Sequence, residues 1–273
     1  MSKSLLEKFQ VAPGSQVRLS EIAGNDQSAF PELDKKSSAK VLEGVVEELR
    51  ALQRIFYAVH SRKILVVIQA MDAGGKDGTV RHVFSHMDAH GIHITSFKKP
   101  TEEELDHDFL WRIHKHAPKN GHIAVFNRSH YEDIIAVRVK KLFPDEVWQR
   151  RYQHVIDFER MLAEEGTIIL KLFLHISKDE QRDRLAARLT RPDKLWKFEP
   201  DDLKDRARWD DFQRAYEDLI GQTSKPHAPW FIIPADRKWY RNLVIAHLLK
   251  ETLEGMNLEY PQPHFDPSKI RID

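Results

Sequence analysis

The chain has 273 residues, with 43 Lys and Arg against 42 Asp and Glu, a formal charge of +1, and no cysteine. Balanced charge gives no global field to gather nucleic acid or a membrane surface, so a polyanion must be met by a local cluster. Without thiols, disulfides, zinc–thiolate sites and thiol nucleophiles are excluded, and the length suits one large α/β domain with its own core.

The first residues, Met1-Ser2-Lys3-Ser4-Leu5-Leu6-Glu7-Lys8, are charged and lack the apolar run of a signal peptide. No stretch approaches a membrane span, so the expectations are a cytoplasmic protein with no membrane and no nucleic-acid partner. Residues 1–38 mix Gly, Pro, Ser and charge without a sustained period, which predicts an N-terminal arm on the surface rather than in the core. From Ala39, the residues Leu42, Val45, Val46, Leu49, Leu52 and Phe56 recur at helical spacing and predict a long amphipathic helix.

Ile64-Leu65-Val66-Val67-Ile68 reads as a buried parallel strand, and Gln69-Ala70-Met71-Asp72-Ala73-Gly74-Gly75-Lys76-Asp77-Gly78-Thr79 as a phosphate-binding loop. Gly74, Gly75 and Gly78 let backbone N–H groups curl around an anion, and Lys76 stands where a P-loop lysine reaches phosphate oxygens. Two positions depart from G-x-x-x-x-G-K-[ST]: Ala70 replaces the first glycine and Asp77 the hydroxyl residue. With that hydroxyl gone, Asp72 is the side chain expected to help hold a metal.

A helix from Thr79 to His90 and a strand over 93–97 should follow, with Lys98 and Lys99 at the strand's C-terminal end, where open α/β sheets bind ligands. Thr101-Glu102-Glu103-Glu104 predicts an N-cap and acidic first turn, opening a helix through Phe109, Leu110 and Ile113. The next strand, 122–126, ends in Asn127-Arg128-Ser129-His130-Tyr131-Glu132-Asp133. There Asn127 can offer a metal an oxygen without charge, and Arg128 can stabilise charge on a transferring phosphoryl group.

A core-facing helix around Trp148 to Leu162 leads to a fourth strand, 167–174. From Arg182 to Lys197 stand six basic residues against two acidic ones. Arg184, Arg188 and Arg191 fall on one helix face, and Pro192 breaks the helix before Lys194, Trp196 and Lys197, which reads as a lid over phosphate. A helix over 201–221, a strand over 230–234, a helix over 238–253 and an irregular Pro-rich tail complete the chain. Alternating strands and helices imply a doubly wound parallel sheet of about five strands. The domain plan is an arm over 1–38, a P-loop phosphotransferase domain over 39–257 with its lid at 182–200, and a tail over 258–273.

His82/His86 and His114-Lys115-His116 have spacing a zinc site could use but bring no third ligand, and neither a G-x-S-x-G elbow nor a G-x-G-x-x-G fingerprint is present.

Taken in order, the loop at 70–78, Phe97-Lys98-Lys99-Pro100-Thr101, Asp106-His107-Asp108-Phe109-Leu110-Trp111-Arg112, Phe126 to Asp133 and the 191–197 lid resemble family-2 polyphosphate kinases. The resemblance spans about residues 30 to 257. It implies a fold similar to thymidylate kinases and a reversible, Mg²⁺-dependent (or Mn²⁺-dependent) transfer of a phosphoryl group between inorganic polyphosphate and a nucleotide. Asp72 would bind the metal and orient the accepting phosphate, Lys76 would hold the transferring group, and Arg128 would neutralise its charge. Asn127 takes the place of a Walker B aspartate found in other branches. Lys98, Lys99 and Arg112 would line the phosphate path, and Arg188, Arg191, Lys194 and Lys197 belong to the lid.

His130-Tyr131-Glu132-Asp133 resembles the class III branch, which takes AMP to ADP and ADP to ATP, and makes Glu132 a candidate specificity residue. Guanine nucleotides stay open as further acceptors, and the family implies a homo-oligomer, dimer or tetramer. Two rivals are an ATP-dependent nucleoside monophosphate kinase and a non-catalytic polyphosphate- or nucleotide-binding protein.

Overall fold

A computed structural model describes residues 4–272; Met1 to Lys3, part of the charged start read above, and Asp273 at the end of the tail lie outside. Four largely apolar runs become the strands β1 (Lys63–Ala70), β3 (Ile123–Asn127), β4 (Thr167–His175) and β5 (Trp230–Pro234), and the alternating Ile92-His93-Ile94-Thr95-Ser96 becomes β2 (Ile92–Ser96). They pair in the order β2-β3-β1-β4-β5, and all four pairings are parallel. Central β1 sets Val66 opposite Val125 on one side and Leu170 on the other. Every residue of β1 after Lys63 is buried, as a strand covered on both faces requires.

Short α1 (Leu5–Phe9) begins the described chain, and α2 (Ser37–Val59) buries Val45, Leu49 and Phe56. Full burial of one such side chain is worth about 1.5–3 kcal/mol. His60 stops α2 in the left-handed conformation at φ 53°. After β1 comes α3 (Lys76–His82), which starts earlier and stops sooner than the spacing predicts. The early start follows from Gly75, whose φ of 106° turns the chain into the helix. The early stop has a tertiary cause: Gln53 of α2 accepts from Asp88 N at 2.8 Å and donates to Asp88 O at 2.9 Å, pinning the backbone out of helix.

Thr101 caps α4 (Glu102–Leu105) in a capping box with Glu104, as expected. That helix does not run on to Ile113. The Asp108 carboxylate accepts from Leu110 N at 2.9 Å, a local turn that separates it from α5 (Trp111–His114). Next come α6 (Glu132–Lys140), α7 (Asp145–Glu164), α8 (Lys178–Thr190) and α9 (Pro192–Leu195). The helix expected over 201–221 is two, α10 (Asp201–Ala207) and α11 (Trp209–Thr223), broken where Arg208 donates to Val139 O at 2.9 Å. Then α12 (Lys238–Glu254) packs along α2, while α6, α7 and α11 pack together. No helix among the described residues is long and apolar enough to cross a membrane.

The arm differs from the surface segment its composition predicts. Phe9, Val11 and Leu19 are buried in the core. Val11 N donates to Trp230 O at 2.8 Å, Gln10 bridges antiparallel to Phe231, and Glu251 of α12 accepts from the amides of Leu5 and Leu6. Apolar residues this sparse show no period, yet the segment with Phe9 and Val11 packs against β5 and α12.

A polar network crosses the core on the α7 side of the sheet. Lys171 Nζ donates to Glu159 Oε2 at 2.6 Å, to Tyr131 Oη at 2.9 Å and to Thr223 O at 2.7 Å, and Tyr131 Oη donates to Glu159 Oε1 at 2.8 Å. Burial opposes the charge on Glu159, but the adjacent Lys171 ammonium and its hydrogen bonds hold the carboxyl below the ordinary glutamate value.

Candidate active site

The loop after β1 and the turn after β3 meet because Ile68 and Asn127 are register partners. Gly74 has its Cα against Ala70 and Met71, where a Cβ would lie 2.7 Å from Met71 O. Lys76, the first residue of α3, folds back over the loop and donates to Ala70 O at 2.9 Å and Met71 O at 3.4 Å. Its ammonium is buried, and burial first, then the Arg128 charge, push it below the ordinary lysine value. A cation stripped of water and resting on carbonyls is ready to exchange them for phosphate oxygens.

Arg128 lies across from it. The residue has φ 64°, a left-handed backbone, and its amide donates to Ile68 O at 3.1 Å, so the turn hangs on the end of β1. The guanidinium is 3.5 Å from Asp72 Oδ1. Although burial works against its charge, the Glu132 and Asp72 carboxylates hold Arg128 above its ordinary value. Glu132 opens α6, partly buried, and, with the Gln69 side-chain amide turned over, its Oε1 accepts from the amide nitrogen at 2.9 Å. Burial raises its carboxyl above the ordinary glutamate value despite the Arg128 and Lys76 charges.

Asp77, in the place of the usual hydroxyl, faces sideways rather than into the loop. Its Oδ1 accepts from Asn127 Nδ2 at 2.9 Å and its Oδ2 from Lys197 Nζ at 2.6 Å. Burial opposes ionisation, but these hydrogen bonds and the Lys197 charge bring the carboxyl down to about 2. Asn127 therefore holds Asp77 with its nitrogen, which also donates to Ser96 Oγ at 3.3 Å. Among the described residues, no three His, Asp or Glu side chains gather as a metal cage. The donors at hand, the Asp72 carboxylate and an amide oxygen, fit a hard divalent cation that keeps its waters and takes most ligands from phosphate.

The other expected phosphate contacts divide. Lys98 and Lys99 are exposed beside the loop. Arg112 is buried instead, donating to Lys98 O at 2.9 Å and Asp133 Oδ2 at 3.0 Å, with Glu104 at 3.5 Å. It fastens the lysine loop to α6. In the lid, Arg188 donates to Lys197 O at 3.2 Å and Asp202 Oδ2 at 2.9 Å, while Arg191 pairs with Asp193 and Lys197 reaches Asp77. Lys194 sits between them, partly exposed.

Arg184, on the stripe with these lid residues, does a different job. It donates to Ala73 O at 3.0 Å and Ala235 O at 2.6 Å, tying the loop to the end of β5. Two further contributors escape motif reading. Tyr216 donates to Ala70 O at 3.3 Å, and Arg241 of α12 lies against Gly75 and Gly78. For Arg241 the one signal in the sequence is an arginine in the largely apolar run Trp239 to Leu249.

The family model described as polyphosphate kinase 2 matches residues 32–261. An AMP/ADP-polyphosphate phosphotransferase of Meiothermus ruber is 51% identical over 268 residues, which cover 98% of this chain and 100% of the relative. An ADP-polyphosphate phosphotransferase of Rhodopseudomonas palustris is 39% identical, with 94% of this chain and 92% of the relative covered. The crystal structure of a polyphosphate kinase 2 from Arthrobacter aurescens superposes with a TM-score of 0.93 at 40% identity, covering 97% of this chain and 94% of that one.

Proposed function

The chain belongs to the polyphosphate kinase 2 family, and from that premise we propose that it transfers a terminal phosphoryl group from inorganic polyphosphate to nucleoside mono- and diphosphates, AMP to ADP and ADP to ATP. The observation that carries the reading is the convergence of Asp72, Lys76 and Arg128 on one loop edge, while Asp77 binds the lid instead of offering a hydroxyl to a Mg·ATP cradle. The ATP-dependent nucleoside monophosphate kinase is not favoured.

Phosphoryl transfer asks for positioning and positive charge more than for a strong base. A polymer with about one charge per phosphate is met by repeated cations, here exposed Lys98 and Lys99 and the lid's Arg191, Lys194 and Lys197. Lys76 exchanges its two carbonyls for oxygens of the transferring group, and Arg128 neutralises charge that builds there. Asp72 and Asn127 would hold a divalent ion, Mg²⁺ or Mn²⁺, which would neutralise phosphate charge there. Glu132, whose carboxyl feels the Arg128 and Lys76 charges, would discriminate the shorter acceptor from the longer one. No side chain need become a covalent intermediate. Guanine nucleotides as acceptors and a homo-oligomeric state, dimer or tetramer, complete the proposal, as does a cytoplasmic location.

Incubating the protein with Mg²⁺, polyphosphate and AMP, and resolving nucleotides over time, tests the reading. ADP followed by ATP, both absent when polyphosphate is omitted, is expected. ADP formed from ATP and AMP without polymer would restore the monophosphate kinase, and binding without turnover the non-catalytic protein.

A further inference from the structure

The underside of the phosphate loop carries a charge that the transfer chemistry just described does not use. Arg241 is 1% exposed, on α12, with a guanidinium that makes its hydrogen bonds from Nε and Nη2 to a single neutral acceptor, Asn242 Oδ1, at 3.2 and 2.8 Å. Its Nη1 is buried without a partner. Among the described residues no carboxylate pairs with it, and the charged groups it feels are cations, chiefly the guanidinium of Arg184 on α8, which itself donates to the loop carbonyl of Ala73.

Glycines mark where this side chain lies. A Cβ at Gly75 would collide with Arg241 Nη1, and one at Gly78 would stand 3.1 Å from Nη2. The loop and the first turn of α3 thus lie directly on the guanidinium, with no side chain between. A buried, half-satisfied cation beside a second cation costs the fold stability. In so dry a place the charge acts through the thickness of the loop with little screening.

We propose that Arg241 is a positioning residue for the phosphoryl donor: it backs the Gly75 to Gly78 segment as a fixed positive charge, and the phosphate held on the other side of the loop is its counter-ion. The inference rests on the polyphosphate reading of the loop. Burial and the Arg184 charge push the guanidinium down to about 9, so it stays protonated at neutral pH. Arg184, bound to Ala73 O and to Glu180 at 2.6 Å, is neutralised locally, which leaves Arg241 as the charge still lacking an anion.

The test titrates inorganic tripolyphosphate with Mg²⁺ into wild type, R241Q and R241K by calorimetry, alongside thermal unfolding of each protein without ligand. Glutamine keeps a donor for Asn242 but no charge; lysine keeps the charge. R241Q should bind about tenfold more weakly, R241K within about threefold of wild type, and the unliganded R241Q should melt no lower than wild type. In steady state the KM for polyphosphate should rise in R241Q while that for AMP stays put. Equal affinity in R241Q and wild type overturns the proposal, as does equal loss in R241Q and R241K, which would make shape rather than charge the cause. If R241Q folds poorly, R241M, which fills the volume without charge, takes its place in the comparison. Failure of wild type itself to bind tripolyphosphate would instead overturn the polyphosphate reading.

Discussion

Lys76 keeps its ammonium on the carbonyls of Ala70 and Met71, and nothing else in the loop can bring a buried cation to the same point. Lys76→Ala should therefore lower kcat/KM for polyphosphate by about 10²-fold or more, about 2.7 kcal/mol of transition-state stabilisation, in initial-rate assays on folded protein. Near-normal turnover would remove this loop from the chemistry. Glu132 sits on the same cluster with its carboxyl raised by burial, so Glu132→Asn should change the ratio of AMP to ADP phosphorylation several-fold more than it changes their sum. An unmoved ratio would leave Glu132 without a role in choosing the acceptor. Lys76 could be placed from the sequence because a P-loop is local grammar, a few glycines and a lysine within one turn of chain, whereas Glu132 entered only through the resemblance of His130-Tyr131-Glu132-Asp133 to the class III branch. The contacts of Arg112, expected to line the phosphate path, and of Arg241 were not legible there, since a guanidinium is read through its partners. Asp133 and Lys98 O for one, and Gly75 for the other, are neighbours only after folding.

Elements followed the same division. Four of the strands stood out because largely uninterrupted β-branched and apolar runs have few alternatives, whereas helix ends turned on contacts invisible to periodicity: Gln53 on Asp88, Asp108 on Leu110, Arg208 on Val139. The arm is held in the same way. His175 Nε2 at the end of β4 donates to Ile22 O at 2.8 Å, which requires its proton there. Burial keeps the imidazole below its ordinary value of 6.5 even though the Ile22 carbonyl favours the charged form. The neutral ring is the folded form, so its contribution to stability is complete above 6.5 and is lost as pH falls through the lower folded value. Thermal unfolding between neutral and mildly acid pH should show a fall in midpoint that is shallower in His175→Gln. Identical slopes would mean that other histidines carry the whole effect.

Across the whole molecule, the Lys171–Glu159–Tyr131 network joins β4, α7 and the turn that leads from Arg128 into α6. Glu159→Ala would leave Lys171 buried without its anion and should cost about 3–5 kcal/mol in denaturant unfolding; a loss below about 1 kcal/mol would show the ammonium to be satisfied by Tyr131 and Thr223 alone. Parallel strands and their number were readable from alternation with helices, but not this network, since a single lysine in a strand looks like an edge or a solvent face until its partners arrive. The arm had the opposite disguise, polar in average and apolar where it counts. By pairing with β5 outside the last parallel strand, Gln10 and Val11 close an edge made of Trp230-Phe231-Ile232-Ile233, a segment whose free N–H and C=O groups would otherwise template pairing with another chain. Removal of residues 1–11 should thus be felt first as lost solubility. Light scattering should rise on standing at high concentration, while turnover per remaining soluble molecule falls far less. On that outcome the segment is a guard against aggregation, a duty added to the core packing of Phe9 and Val11.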